Sequence, residues 1–132
     1  MTIVVSAAVI ERDGRFLITR RQQGVHLEGY WEFPGGKCDE GESLAACLER
    51  ELREELDVSA RIAEELFATV HEYPDRTVEL HFLTCEIDGE PRPQVGQDMM
   101  WARREALSDL EFPPADEEFI RLLTRAGERS SE

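Results

Sequence analysis

Glutamate side chains recur at short, regular intervals between Gly36 and Val58, in the segment GKCDEGESLAACLERELREELDV. Glu51, Glu54 and Glu55 are spaced so that on a helix they would share one stripe, because positions three and four apart are neighbours. Carboxylates this close repel one another unless cations neutralise them, and their hard oxygen atoms suit Mg²⁺ or Mn²⁺, which readily share their coordination with substrate phosphates. The spacing therefore predicts a divalent-metal platform.

A helix is the element that must carry this stripe. Leu44, Leu48, Leu52 and Leu56 recur every four residues without an intervening Pro or Gly, and Ser43 precedes them as a candidate N-cap. A helix from Ser43 to Leu56 would turn its leucines to a core and its glutamates to the surface. A solvated acidic face is the alternative interpretation of the same pattern.

The turn before the helix favours a functional site over a solvated face. Gly35, Gly36 and Lys37 supply a flexible backbone and a cation beside the stripe, and Glu42 adds a further carboxylate.

The whole segment resembles the Nudix box, G-x5-E-x7-R-E-U-x-E-E-x-G-U, where U is a bulky aliphatic residue. Its positions are filled by Gly36, Glu42, Arg50, Glu51, Leu52, Glu54, Glu55 and Val58. Asp57 stands where the family has glycine, so we expect this residue to adopt a left-handed conformation at a cost of roughly 1 kcal/mol. The flanking segments LITRR, WEFPGGK, YPDR and FPPADE are similar to those of MutT-like nucleoside triphosphate pyrophosphohydrolases and their CTP-hydrolysing relatives.

This resemblance implies the Nudix fold, an α/β (α+β) architecture with a mixed β-sheet in an α/β/α sandwich. It implies that Glu51, Glu54, Glu55 and the backbone carbonyl of Gly35 bind Mg²⁺, with Mn²⁺ as a substitute. Glu51 also matches a residue that serves as the catalytic base, and Arg50 matches one that orients the glutamates. The implied reaction is metal-assisted attack of water on a small-molecule nucleoside triphosphate, which releases a nucleoside monophosphate and pyrophosphate.

Five residues are candidates for contact with the substrate: Arg21, Phe33, Lys37, Arg76 and Asp116. Arg21 and Lys37 match positions that meet phosphate or base in MutT-like enzymes, and solvated surface cations are the alternative. Phe33 either borders the base or packs in the core. Arg76 matches a base-proximal segment, although an ordinary turn also explains it.

Asp116 matches an asparagine that reads the modified guanine in MutT-like enzymes. An ionised aspartate only accepts hydrogen bonds, which disfavours a guanine O6 unless the carboxyl is buried and protonated. An accepting carboxylate would suit the amino group of cytosine, so 8-oxo-dGTP and the group of CTP, dCTP and 5-methyl-dCTP both stay open. Capping of the last helix is the alternative role of Asp116.

A second departure from the family concerns the general base. MutT-like enzymes carry a further glutamate in the loop before the sixth strand, and Val95 occupies that position here. Either Glu51 acts alone, or Gln94, Asp98 or Glu90 reaches in from a shifted loop. The valine also keeps open a nucleotide-binding sensor without turnover.

Another member of the same superfamily, acting on a dinucleotide or a sugar nucleotide, is the remaining alternative. Tyr73 and Pro74 follow the box at the spacing that such enzymes show, although a MutT-like segment explains them equally well.

Composition bounds the remaining properties. The 132 residues, 41% of them hydrophobic, predict one domain over residues 1–126 and a disordered tail over 127–132. A net charge of −14 argues against binding a nucleic-acid polymer. The three cysteines, Cys38, Cys47 and Cys85, lack metal-ligand spacing and predict reduced thiols. Without a basic leader or an apolar span, we expect a cytoplasmic protein with no membrane contact, either a monomer or a homodimer.

The coarse secondary structure follows from apolar patterning and turn residues. We predict a hairpin of strands over 3–10 and 16–19, a short strand over 30–33, and strands near 61–72, 77–87 and 99–102. Residues 105–107 should form a turn or short helix, and residues 116–124 a closing helix.

Overall fold

The computed structural model describes residues 1–24 and 28–130, and only the backbone of residues 126–130. Its elements in chain order are β1 (Thr2–Val9), β2 (Glu11–Arg12), β3 (Arg15–Arg20), β4 (Trp31–Glu32), β5 (Gly35–Lys37), α1 (Leu44–Leu56), β6 (Ser59–Tyr73), β7 (Arg76–Asp88), β8 (Met99–Arg103) and α2 (Glu117–Ser130). Short 3-10 helices cover Arg104–Asp109 and Pro114–Asp116. No helix in the described part of the chain has the length and hydropathy needed to span a membrane.

The strands form two small sheets. One has the order β5-β1-β7-β6 and is mixed, since β1 pairs with β7 in parallel and with β5 antiparallel. In the other, β3 pairs antiparallel with β2 and β4 along one edge and with β8 along the opposite edge. The segment Gly35–Lys37, called the glycine turn below, forms strand β5 instead of the predicted turn, and its pairing with β1 places it at the edge of the mixed sheet, beside the start of α1.

Side chains that alternate along the strands feed two apolar cores. Ala7 and Val9 of β1 belong to an aromatic core that includes Phe119 of α2. Ala8 and Ile10 point the opposite way, into a core built on the α1 leucines. The strands therefore lie between α1 and α2, and the predicted α/β/α sandwich is confirmed.

α1 forms as the leucine periodicity predicts. Leu48, Leu52 and Leu56 are fully buried, and the Ser43 hydroxyl caps the helix by accepting from the Ala46 amide at 3.1 Å. Asp57 ends the helix with φ of 54°, so the expected left-handed conformation is confirmed.

Two predicted elements differ from the structure. The predicted hairpin is only the short β2-β3 pair, because β1 joins the mixed sheet while β3 joins the other one. The closing helix starts at Glu117 and continues to Ser130, through the first part of the predicted tail. Residues 131 and 132 lie outside the described residues, and disorder there stays a prediction.

Candidate active site

Arg50 holds the carboxylates of α1 in place. Its guanidinium donates to both oxygens of Glu42 at 2.8 and 2.9 Å, to Glu51 Oε1 at 2.9 Å and to Glu54 Oε2 at 3.3 Å. It also donates to the Lys37 carbonyl at 3.2 Å. The Arg50 guanidinium and the Asp39 amide hold the pKa of Glu42 at about 2. All five N–H groups of Arg50 therefore donate to protein groups, and its role in orienting the glutamates for catalysis stays a prediction.

The glycine turn lies directly against the stripe. A Cβ at Gly36 would overlap the Glu51 carboxylate, and a Cβ at Gly35 would overlap the Ser6 carbonyl. Glycine at position 36 therefore allows the close approach to α1, and glycine at position 35 allows the close approach to β1. Gly35, Glu51 and Glu55 all line the same cavity, whereas the Glu54 side chain is 59% exposed and is not part of the cavity wall.

Glu51 and Glu55 have the electrostatics of a cation site. Burial, followed by the neighbouring Glu51 and Glu32 carboxylates, raises the pKa of Glu55 to about 8. Burial also raises the pKa of Glu51, with which Glu55 shares a hydrogen bond. A divalent cation would relieve this repulsion, and the donors are all oxygen, so these residues fit Mg²⁺. Among the described side chains, no three acidic, histidine or cysteine residues are already arranged as a cage.

The cavity has a volume of about 400 Å³ and extends from this stripe to Asp116. It is lined by Ile3, Val5, Ala7, Arg21, Glu32, Phe33, Gly35, Gly36, Lys37, Glu51, Glu55, Tyr73, Arg76, Val78, Leu80, Pro113, Ala115 and Asp116. All five residues predicted to contact substrate are therefore in its wall. What each of the five contacts in a bound substrate stays a prediction.

Arg21 and Glu32 form an ion pair in the wall between the two ends. Arg21 Nη1 lies 2.9 and 3.1 Å from the two Glu32 oxygens. Burial raises the pKa of Glu32 and that of Asp116, which is 6% exposed, and the pKa of Asp116 reaches about 8. Glu32 adds to the Asp116 shift, and Arg21 opposes it. A pKa of about 8 favours the protonated Asp116 carboxyl at neutral pH, and a protonated carboxyl can donate a hydrogen bond as well as accept one.

The other predicted contacts differ in character. Phe33 is 3% exposed and packs within 5.6 Å of the Phe112 and Phe119 rings, so it is a core residue that borders the cavity. Arg76 lies 2.8 Å from Asp75 Oδ2, as in an ordinary turn pair, while still lining the cavity. Lys37 is exposed at the end of β5.

The loop that carries Val95 closes over the C-terminal end of α1. The Gln97 amide donates to the Glu55 carbonyl and accepts from the Val95 backbone amide, each at 3.1 Å. None of the proposed replacements for the missing glutamate lines the cavity. The side chains of Glu90, Gln94 and Asp98 face Arg12, the Arg92 carbonyl and Arg20 respectively.

Comparison with known proteins identifies the family. A protein-family model with the description "NUDIX domain" matches residues 5–122 of this sequence. The chain belongs to the Nudix hydrolase family. This Nudix hydrolase is 37% identical over 123 residues to an 8-oxo-dGTP diphosphatase of Haemophilus influenzae, with 92% of this chain and 90% of that protein covered. It is 36% identical over 115 residues to the CTP pyrophosphohydrolase of Escherichia coli, covering 86% and 85%.

Solved structures agree with the fold of this Nudix hydrolase. The solution structure of the Escherichia coli ORF135 protein superposes with a TM-score of 0.83 at 32% identity, covering 99% of this chain and 93% of that one. The crystal structure of a MutT protein from Methanosarcina mazei Go1 gives a TM-score of 0.84 at 22% identity, covering 96% and 95%. The predicted Nudix fold is thereby confirmed.

Three features of this Nudix hydrolase were missed from its sequence. Glu32 could have been suspected, because a charged residue within WEFPGGK interrupts a short apolar strand. Gln97 carries no comparable signal. Cys38 and Cys47 form a disulfide, so the prediction of reduced thiols is wrong for this pair, whereas Cys85 is free and buried. The bridge arises because the end of β5 packs on α1 and brings the two Cα atoms within 5.2 Å.

Proposed function

We propose that this Nudix hydrolase is a Mg²⁺-dependent nucleoside triphosphate pyrophosphohydrolase that acts on oxidised or modified nucleotides such as 8-oxo-dGTP. The observation that carries the proposal is the carboxylate stripe of α1 at one end of a nucleotide-sized cavity, with the buried Asp116 at the other, where burial raises its pKa to about 8. The named relatives support the same reaction class.

The chain's own groups supply the positioning. Glu51, Glu54, Glu55 and the Gly35 carbonyl would hold Mg²⁺, which when bound neutralises the phosphates and lowers the pKa of the attacking water. Arg50 donates to Glu51 Oε1 and so orients the carboxylate that would take the proton from water. Lys37 at the mouth is available for a phosphate oxygen. Cleavage of a phosphoanhydride bond then yields the nucleoside monophosphate and pyrophosphate.

Glu51 is the general base in this proposal because Val95 cannot take a proton. The side chains of Glu90, Gln94 and Asp98 do not line the cavity, whereas Glu51 does. A single carboxylate that serves both as ligand and base is consistent with slow turnover.

Hydrolysis of CTP, dCTP or 5-methyl-dCTP is the second candidate, and Glu32 favours it. This half-buried carboxylate lines the cavity beside Asp116, and an ionised form would accept a hydrogen bond from the cytosine amino group. The similarity to a CTP pyrophosphohydrolase supports this candidate as well. A sensor without turnover is less favoured, because the complete stripe with its Arg50 support serves chemistry beyond binding.

The net charge of the chain bears on which phosphate-containing partners it binds. A chain of net charge −14 would bind free nucleotides carried with Mg²⁺ rather than a nucleic-acid polymer. We propose a cytoplasmic location, where such nucleotides are found, and a monomer or homodimer.

The test is pyrophosphate release in the presence of Mg²⁺ or a chelator, measured in parallel with several nucleotides. The panel contains 8-oxo-dGTP, dGTP, CTP, dCTP, 5-methyl-dCTP, a dinucleoside polyphosphate and ADP-ribose. We expect metal-dependent release that is fastest with 8-oxo-dGTP. Fastest release with cytidine nucleotides would instead support the second candidate. Tight binding without release from any of them would overturn the enzyme proposal in favour of a sensor.

A further inference from the structure

The Cys38–Cys47 disulfide spans the segment between the glycine turn and α1. Cys38 directly follows Lys37, and its backbone amide donates to the Val4 carbonyl at 2.8 Å. Cys47 is fully buried in α1, with its Sγ 3.7 Å from the Gly36 carbonyl. The bridge therefore joins the turn that shapes the metal site to the helix that carries its carboxylates.

The enclosed loop contains a working part of the site. Glu42 lies between the two cysteines in the sequence. Its carboxylate accepts a hydrogen bond from the Asp39 backbone amide at 2.9 Å and two hydrogen bonds from Arg50. Arg50 also donates a hydrogen bond to Glu51, so a movement of this loop would displace Glu51 through the Arg50 side chain. A covalent link across the loop limits that movement.

Both sulfur atoms also have partners suited to the thiol state. Ser6 Oγ lies 3.3 Å from Cys38 Sγ, and the Gly36 carbonyl lies close enough to accept from a Cys47 thiol. Reduction would therefore leave neither sulfur buried without a hydrogen-bond partner.

We propose that Cys38 and Cys47 form a reversible thiol–disulfide site whose oxidation state sets the affinity of the stripe for divalent metal. The inference rests on the metal site of the proposed function. A bridge in a reducing compartment is typically transient and redox-sensing. The bridged state is the one that binds metal tightly, because it fixes the loop that holds Arg50 and, through it, Glu51.

The exchange requires two equivalents of a small thiol such as glutathione. Its thiolate attacks Cys38 Sγ, the half-buried sulfur of the pair, and the S–S bond breaks so that Cys47 leaves as a thiolate and takes a proton from water. A second glutathione thiolate attacks the glutathione sulfur of the mixed disulfide and releases Cys38. The protein gains two electrons, and two glutathione molecules become oxidised glutathione.

The experiment equilibrates the full chain in buffers of varied reduced-to-oxidised glutathione ratio and counts free thiols by alkylation and intact mass. In the same samples, Mn²⁺ binding is measured by calorimetry without nucleotide. We expect two thiols to titrate together and the Mn²⁺ dissociation constant to rise roughly tenfold on reduction, the lower end of the effect of removing groups that support metal ligands. Cys38→Ser should show the weak affinity at every ratio, and Cys85→Ala should retain the full response.

Two results would overturn the inference. Cys38 and Cys47 could stay reduced at every glutathione ratio, or the Mn²⁺ dissociation constant could stay the same while the number of free thiols changes. Cys47→Ala provides a second permanently unbridged variant if Cys38→Ser fails to fold. Failure of the proposed function is distinguishable, because affinity could follow the thiol count in a protein that hydrolyses no nucleotide.

Discussion

Gly36 matters at the scale of single residues because the backbone there leaves room for a carboxylate. Gly36→Ala places a methyl group where the Glu51 carboxylate lies, and the carboxylate must move because it is the end of a flexible side chain. We expect kcat to fall roughly 100-fold with little change in thermal stability, since a small misplacement at a reacting centre has that effect. Steady-state kinetics and a melting curve measure this, with Glu40→Ala in the exposed loop as the control. Full activity in Gly36→Ala would show that Glu51 is not needed where it lies.

Asp116 determines which hydrogen-bonding group meets the base. As the pH rises through its pKa of about 8, the carboxyl loses its proton and with it the ability to donate. We expect the ratio of kcat/KM for 8-oxo-dGTP over dCTP to fall roughly tenfold between about pH 6 and about pH 9, which is the contribution of about one hydrogen bond. Asp116→Asn cannot titrate and should keep a constant ratio. An equal slope in both proteins would exclude Asp116 as the group that reads the base.

At the scale of elements, the C-terminal end of α1 carries Asp57 where the Nudix box has glycine, and this residue lowers stability. Asp57 is left-handed and adds a negative charge to the C-terminal end of the helix dipole. We expect Asp57→Gly to stabilise the protein by about 1 kcal/mol in urea unfolding. Asp57→Asn removes the charge alone. Asp13 has the same φ of 54° in a turn that is not at the end of a helix, so Asp13→Gly relieves the backbone strain alone. If Asp57→Gly gains no more than Asp13→Gly, the helix dipole plays no part.

The helix α1 could be predicted from sequence because its determinants are local. Leucine spacing, the Ser43 cap and the stripe all act within a few turns of chain. The hairpin prediction failed because sheet membership is not local. β1 looks like a partner of β3, yet it pairs with β7, more than 70 residues later in the chain. An apolar run states that a strand is buried, and it does not state which strand is its neighbour.

From residue spacing alone, the site could be predicted only where its residues share one element. The stripe follows from spacing on α1, and the cavity contacts followed from the family resemblance. Glu32 became visible as a site residue only once the fold placed it with Arg21 beside Asp116. The disulfide depends on how β5 packs against α1, which no spacing rule between Cys38 and Cys47 expresses.

For the whole molecule, buried acids make stability depend on pH. Glu55 and Asp116 each have a folded pKa of about 8, above their unfolded values. Such groups contribute stability that is fully present below the unfolded pKa and is lost as the pH rises through the folded pKa. In chelator, the free energy of unfolding should therefore fall between about pH 4 and about pH 8.

Asp116→Asn removes one of these titrations. The variant should gain on the wild type with rising pH, by on the order of 1–3 kcal/mol. Urea unfolding at successive pH values measures the difference. A difference that stays constant across this range would mean that Asp116 is not neutral in the folded protein.

The carboxylate stripe of α1 is proposed to bind the metal that hydrolysis requires. Mg²⁺-dependent pyrophosphate release from 8-oxo-dGTP and dCTP tests this in the wild type, in Glu54→Gln and in Glu49→Gln, which removes the same charge from α1 outside the stripe. We expect Glu54→Gln to lose roughly 100-fold in activity and to need more Mg²⁺, whereas Glu49→Gln keeps wild-type kinetics. Full activity and an unchanged Mg²⁺ requirement in Glu54→Gln would contradict the claim.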